Sequence, residues 1–219
     1  MELKEGTNVY TAGGDKVGEI GQVVIRPDTK QITHVIVQRG FLFTEDKVVP
    51  MHLVEDASEG AVRLTAGVQD LDAFQNFEET AYVYVDERPK PLPAIGHPVP
   101  SLYWYPPYGA RGLDEAGLDY DTLPVYVQVQ RENIPEDAVA LKEGARVISS
   151  DGKHVGDVEL VFADPANNRA THVVVSKGLL VKEKKVLPTW WMAYILEDEI
   201  YLSVEAGLVE KLPEYQPQA

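Results

Sequence analysis

Residues 31–40 read QITHVIVQRG and residues 169–178 read RATHVVVSKG. At the same offset of 138, residues 3–77 and 141–215 align without a gap and agree at 22 of 75 positions. Chance does not hold one register over such a length, so one structural unit has been used twice. The fold must therefore be one that a stretch of roughly 75 to 85 residues can form, with a modest core in each copy. The chain of 219 residues divides into a first repeat over 1–85, a connecting region over 86–138 and a second repeat over 139–219.

Within each repeat the local signals are those of short strands and tight turns. Leu-Lys-Glu-Gly opens both copies, at 3–6 and 141–144, ahead of a short apolar strand around Val9 or Val147. Gly13-Gly14-Asp15 and Asp151-Gly152-Lys153 then supply the residues that two-residue hairpin loops require. Strands over 17–25 and 155–163 follow, each with a glycine directly after its valine, Gly18 and Gly156, which marks a bulge or a close backbone approach where a small sheet bends. Pro27 and Pro165 sit in the next turn, where Asp and Asn act as turn formers rather than as calcium ligands. In the central strand Val35 and Val37 are expected on one face and Ile32, His34 and Ile36 on the other, so the strand is buried on both sides. A strand ending in Pro50 or Pro188 comes next, and a last strand lies over 61–65 or 200–204. Val68, Leu71, Phe74 and Phe77, three residues apart, predict a short amphipathic helix over 68–77, whose counterpart over 206–212 is cut short by Pro213.

The connecting region holds nine of the 15 prolines and the aromatic run Tyr103-Trp104-Tyr105-Pro106-Pro107-Tyr108. Proline at this density favours extended segments over packed helices, while the aromatics predict that part of the region lies against a barrel. Its flanks, over 81–85 and 125–129, alternate with period two and are expected to pair as strands.

The succession Val-Gly-(Asp/Glu), Thr-His-Val-(Ile/Val)-Val, Gly and Lys-Val-(Val/Leu)-Pro resembles the PRC-barrel family. It is carried by Val17-Gly18-Glu19, residues 33–37, Gly40 and residues 47–50, and again by Val155-Gly156-Asp157, residues 171–175, Gly178 and residues 185–188. The family is known from the cytoplasmic domain of the photosynthetic reaction-centre H subunit and from the C-terminal domain of a ribosome maturation factor. The two-sided apolar character of the central strands predicts that the repeats pack about a pseudo-twofold, burying Ile36 and Val174 or their neighbours, and the resemblance implies an all-β chain of two tandem, small, strongly bent β-barrels with short helices. It also implies contact with other proteins as the mode of action, and it brings no catalytic residues with it.

Composition narrows the function further. With 44% apolar residues the chain can build such cores, and with no cysteine it has neither disulfides nor thiolate metal sites nor a cysteine nucleophile. Twenty basic against 35 acidic residues give a net charge of −15, which repels phosphate backbones and argues against nucleic acid as the main partner. No apolar run is long enough to span a bilayer, and the start Met1-Glu2-Leu3-Lys4 reads as that of a cytoplasmic protein, with association to a membrane complex left open. Phosphate-binding glycine loops and a nucleophile elbow are missing from the sequence. His34 and His172 share a repeat position and read as structural strand histidines, with proton handling as the alternative. His52 aligns with Trp190, and His97 lies in the connecting region.

These observations lead to a non-enzymatic scaffold or adaptor that holds a protein partner, with neither cofactor nor metal. A ribosome-assembly or RNA-processing factor and an accessory protein of a photosynthetic electron-transfer complex are the alternatives. Scaffold requirements act on both copies, whereas a partner need touch only one, so aromatic residues that break the repeat symmetry are the candidate contacts. They are Phe41 and Phe43, then Tyr103, Trp104, Tyr105 and Tyr108, and finally Trp190 and Trp191. The last two, adjacent in a β-like segment, are expected to face opposite sides.

Overall fold

The computed structural model describes residues 1–40, 45–58, 60–85, 125–178 and 183–216. In chain order the strands are β1 (Glu2–Leu3), β2 (Asn8–Tyr10), β3 (Lys16–Ile25), β4 (Ile32–Arg39), β5 (Glu45–Pro50), β6 (Val54–Ser58), β7 (Ala61–Leu64), β8 (Glu78–Val85), β9 (Val125–Glu132), β10 (Val139–Lys142), β11 (Arg146–Ile148), β12 (His154–Asp164), β13 (Arg169–Lys177), β14 (Glu183–Pro188), β15 (Met192–Ile195) and β16 (Glu199–Leu202). Helix α1 (Ala206–Glu210) follows, and 3-10 turns at Met51–Leu53 and Thr189–Trp191 precede β6 and β15. Contacts gather the chain into two units, Met1–Phe77 with Asn133–Ala219, and Glu78–Glu132. The second is the antiparallel hairpin β8–β9, paired from Glu78 opposite Glu132 to Val85 opposite Val125, as the alternation of its flanks predicts.

Both barrels lie in the first unit and have the same topology. The strand order is β5-β4-β3-β2-β7-β6 in the first copy and β14-β13-β12-β11-β16-β15 in the second. The bends sit where sequence placed them. A Cβ on Gly18 would lie 2.5 Å from the Gln38 carbonyl oxygen, and one on Gly156, at φ +151°, 3.0 Å from that of Ser176. Only glycine lets the strand pass this close to its neighbour.

The seventh strand of each sheet comes from the other copy. β1 pairs with β12, setting Leu3 opposite Val161, while β10 pairs with β3, setting Leu141 opposite Val23. At the offset of 138 these two pairings are the same pairing, so the copies exchange their opening strands reciprocally. A second crossing joins the turns between β3 and β4 and between β12 and β13. There the Ile32 amide donates to Asn168 O at 2.9 Å and the Ala170 amide to Lys30 O at 2.8 Å, flanking a bridge between Gln31 and Arg169. Lys30 and Asn168 both adopt positive φ, 61° and 55°, and so occupy equivalent places about the pseudo-twofold. One core runs through both copies, from Leu3, Val35, Val37 and Leu64 to Leu141, Val173, Leu187 and Leu202.

Two expectations are corrected. Ile32 belongs to that shared core with Val35 and Val37 rather than to the face of Ile36, because the β3–β4 register shifts between Val24 and Ile25 and turns the strand end over. Residues 68–77 form successive turns, not a helix, although Val68, Leu71 and Phe77 are buried. The helix forms in the second copy instead. Its first amide, on Ala206, donates to the Asp151 carboxylate at 2.9 Å, and the residue equivalent to Asp151 in the first copy is Gly13.

Ile36 and Val174 are both buried, and at Ile36 the first copy's own tail meets Ala140 of β10, the strand lent by the second copy. Ile36 packs with Val24, Val48, Phe77 and Ala140, and Ile134 and Ala138 close over them. At the equivalent face of the second copy the larger Phe162 and Tyr215 meet edge to face at 6.1 Å.

Candidate protein-interaction face

The two terminal hairpins, β6–β7 and β15–β16, are built alike. Each carries a register shift inside its first strand, between Val54 and Asp56 or between Met192 and Tyr194, and each pairs in parallel with the short strand of its copy, β2 or β11. Their inward residues agree in character. Val54, Ala57, Val62 and Leu64 are buried in one, and Met192, Ile195, Ile200 and Leu202 in the other.

Outward, they part company. Trp190 is 76% exposed, Tyr194 70% and Leu196 48%, where the first copy has His52, Asp56 and Ser58. The 3-10 turn Thr189–Trp191 produces this separation of neighbours. It sends Trp191 into the core at 7% exposure and leaves Trp190 in solvent, with the two rings edge to face at 5.6 Å. Thr189 anchors the turn by donating to Ala170 O at 2.8 Å, and Ser203 holds its end by donating to Trp191 O at 3.0 Å. Such large side chains standing in water on a rigid hairpin are what an interface core supplies. Across β16 the Tyr201 hydroxyl donates to Glu199 at 2.5 Å, and this hydrogen bond raises the phenol above its ordinary pKa. Arg146 reaches the same carboxylate at 3.5 Å.

Of the other candidate contacts, Phe41, Phe43, Tyr103, Trp104, Tyr105 and Tyr108 lie outside the described residues, as does the packing expected of the connecting region. Trp191 is a core residue, and Trp190 alone of the eight is placed on the surface. Tyr194 and Leu196 were missed. The signal that finds them is position-by-position comparison of the aligned copies, which sets each against a polar residue.

The seam between the copies carries the other concentration of ionisable groups. Glu159 accepts from Lys184 at 2.5 Å and Lys4 at 3.4 Å; burial opposes its ionisation, yet these two ammonium groups hold it below the ordinary carboxylate range. Burial raises Glu143 beside it, with Glu5 and Glu159 adding to the rise against Lys4. The space lined by Glu5, Glu143 and Glu159, with Ile20, Gln22 and Leu141, amounts to about 10 Å³, the size of a single water at most. His34 is half-buried and His172 exposed. Among the described residues no three His, Asp or Glu gather as metal ligands, and no helix is long and apolar enough to cross a membrane.

Comparison with known families matches the PRC-barrel domain twice, over residues 5–70 and 141–207. The chain belongs to the PRC-barrel family. It is a tandem of two PRC barrels, and the matched stretches stop short of the hairpin β8–β9. No curated protein matches the chain. The first family match includes the whole polar hairpin of its barrel and the second the whole aromatic hairpin of its own, so the PRC fold accepts either surface.

Proposed function

We propose that this tandem PRC-barrel protein is a non-enzymatic interaction scaffold, in which the second barrel's hairpin β15–β16 receives a protein partner. The observation that carries the reading is the repeat asymmetry at fixed backbone: Trp190, Tyr194 and Leu196 stand exposed where the first barrel has His52, Asp56 and Ser58. The scaffold folds with polar residues there, so folding does not account for the aromatics. Membership in a family found in protein-interaction contexts supports the same reading.

The test is a comparison of the full chain with its Trp190→Ala/Tyr194→Ala variant as baits. The expected result is loss of the captured partner with an unchanged melting temperature. Equal capture by both baits overturns the assignment of the face. A metal or organic cofactor present at one equivalent in purified protein overturns the non-enzymatic part.

A further inference from the structure

Relative to its mate, hairpin β15–β16 has changed in charge as well as in apolarity. Strand β6 of the first barrel carries Glu55 and Asp56 among its outward residues, and the equivalent positions in β15 are Ala193 and Tyr194. Charge has not left the hairpin; it has moved to the ends. Residues 59–61 of the sequence read Glu-Gly-Ala, and their equivalents at the β15–β16 turn are Glu197-Asp198-Glu199, while Glu205 beyond β16 stands where the first copy has Gly67. Of these acids, Glu197 is tied to Lys142, and Glu199 to Arg146 and Tyr201, while Asp198 and Glu205 stand exposed. The result is an apolar strip along one strand with exposed acids at either end of the hairpin, Asp198 at the turn and Glu205 beyond the open end, the arrangement of core and rim found in protein interfaces.

Resting on the reading of this hairpin as the recognition face, we infer that its occupant is a basic segment of another protein, with apolar side chains that cover Trp190 and Tyr194 and Lys or Arg side chains that meet Asp198 and Glu205. Charge complementarity selects this occupant. A second copy of the chain would bring the same acidic turn against its own image, on a molecule already at −15, and like charges at a rim disfavour that pairing. Nucleic acid would supply rings to stack on Trp190, but its phosphates would face the same carboxylates. A basic segment satisfies strip and rim together. It is also drawn in by the field of the acidic chain, so association should weaken as salt is added.

The probe is a library of random peptides displayed on phage and selected on the immobilised full chain at low salt. Two variants serve as counter-baits, and both carry residues that the first barrel already holds at these positions: Trp190→His/Tyr194→Asp/Leu196→Ser for the strip, and Asp198→Gly/Glu205→Gly for the rim. Peptides enriched on the wild type should be net positive with apolar residues, should fall by roughly tenfold or more on the strip variant, and should weaken on the rim variant and with added salt. Peptides lost on the strip variant but indifferent to the rim variant and to salt, or without positive charge, overturn the inference and leave the recognition face standing. If no enriched peptide distinguishes wild type from the strip variant, the recognition face and the inference fall together. Sedimentation provides a further arm: a wild-type dimer that the strip variant converts to monomer makes the occupant a second copy and overturns the basic segment.

Discussion

Hairpins β6–β7 and β15–β16 share a register shift, an inward row of apolar residues and a parallel neighbour, and they differ almost wholly in what they show to solvent. The strands exchanged across the seam behave in the opposite way. Both copies read Leu-Lys-Glu-Gly there, and both leucines are buried in the other copy's sheet. A duplicated chain thus contains its own control. Where the two copies keep a residue in a buried, paired position, packing accounts for it; where the backbone is kept and the surface changes, it does not.

The seam is where the likeness of the copies is most easily broken. Leu3 is 1% exposed and Leu141 3%, each facing a partner strand that belongs to the other barrel. Leu141→Asp places an unpaired carboxylate in the shared core and is expected to cost about 4 kcal/mol or more. Because the core is continuous through both barrels, the loss should appear as one cooperative urea transition moved to lower concentration. Two separate transitions, with only one of them displaced, would mean that the barrels fold independently.

The adjacent tryptophans sharpen the contrast between buried and displayed residues. Trp191→Ala empties a core position and should cost about 3–5 kcal/mol, whereas Trp190→Ala removes an exposed ring and should leave stability within about 0.5 kcal/mol. Thermal melts of the two variants, measured side by side, check this. Equal destabilisation would return Trp190 to the core and remove the evidence for a recognition face.

The sequence makes the turns, the bends and the family legible because each depends on residues close together in the chain: Gly13-Gly14, Gly18, Pro27 and their second-copy mates. The strand exchange was not legible for a physical reason. Leu3 and Leu141 have the same neighbours, so pairing within a copy and pairing between copies satisfy the local pattern equally, and only three-dimensional closure chooses. Strands β6 and β15 escaped because their register shifts break the period-two alternation. The aromatic pair at 190–191 could be singled out, but deciding which ring faces water required the 3-10 turn. The misplaced helix has the same lesson. Three-residue spacing is present over 68–77, yet the capping carboxylate that the second copy draws from Asp151 is absent at Gly13.

That cap gives a smaller prediction about how the tails of the two copies differ. Asp151 accepts from the Ser149 hydroxyl at 2.7 Å, from the Ala206 amide and from Lys153, and these contacts hold its carboxyl well below the usual range. A depressed carboxylate pKa contributes stability that is present above the unfolded value and lost as pH falls through the folded one. Asp151→Ala should therefore speed amide exchange at Ala206 and through α1 at neutral pH, with little change elsewhere. Unchanged protection of Ala206 would show that packing of Val209 alone holds the helix.

The smallest effect belongs to His34, whose surroundings the second copy does not reproduce. His34 lies on β4 opposite Pro50, half-buried, and its pKa is lowered first by burial, then by His52 and by Arg26. At the equivalent positions of the second copy, His52 becomes Trp190 and Arg26 becomes Asp164. In the unfolded chain the imidazole takes up its proton near pH 6.5, while in the fold it does so only at lower pH. Between those two values the unfolded state binds more protons, so stability declines as pH falls from about 6.5 and the decline stops once the folded imidazole is also charged. The same protonation would place a cation beside Arg26, which holds the segment over Ile36 through its ion pair with Asp137 at 2.8 Å. The partial exposure of His34 keeps the effect small, since solvent screens a half-buried charge. Melting temperatures of wild type and His34→Gln, followed from pH 7.5 to pH 5 in constant salt, should diverge in slope, with the variant losing less as acid is added. Parallel slopes would assign the acid sensitivity to other groups and leave His34 as a strand residue equivalent in role to His172.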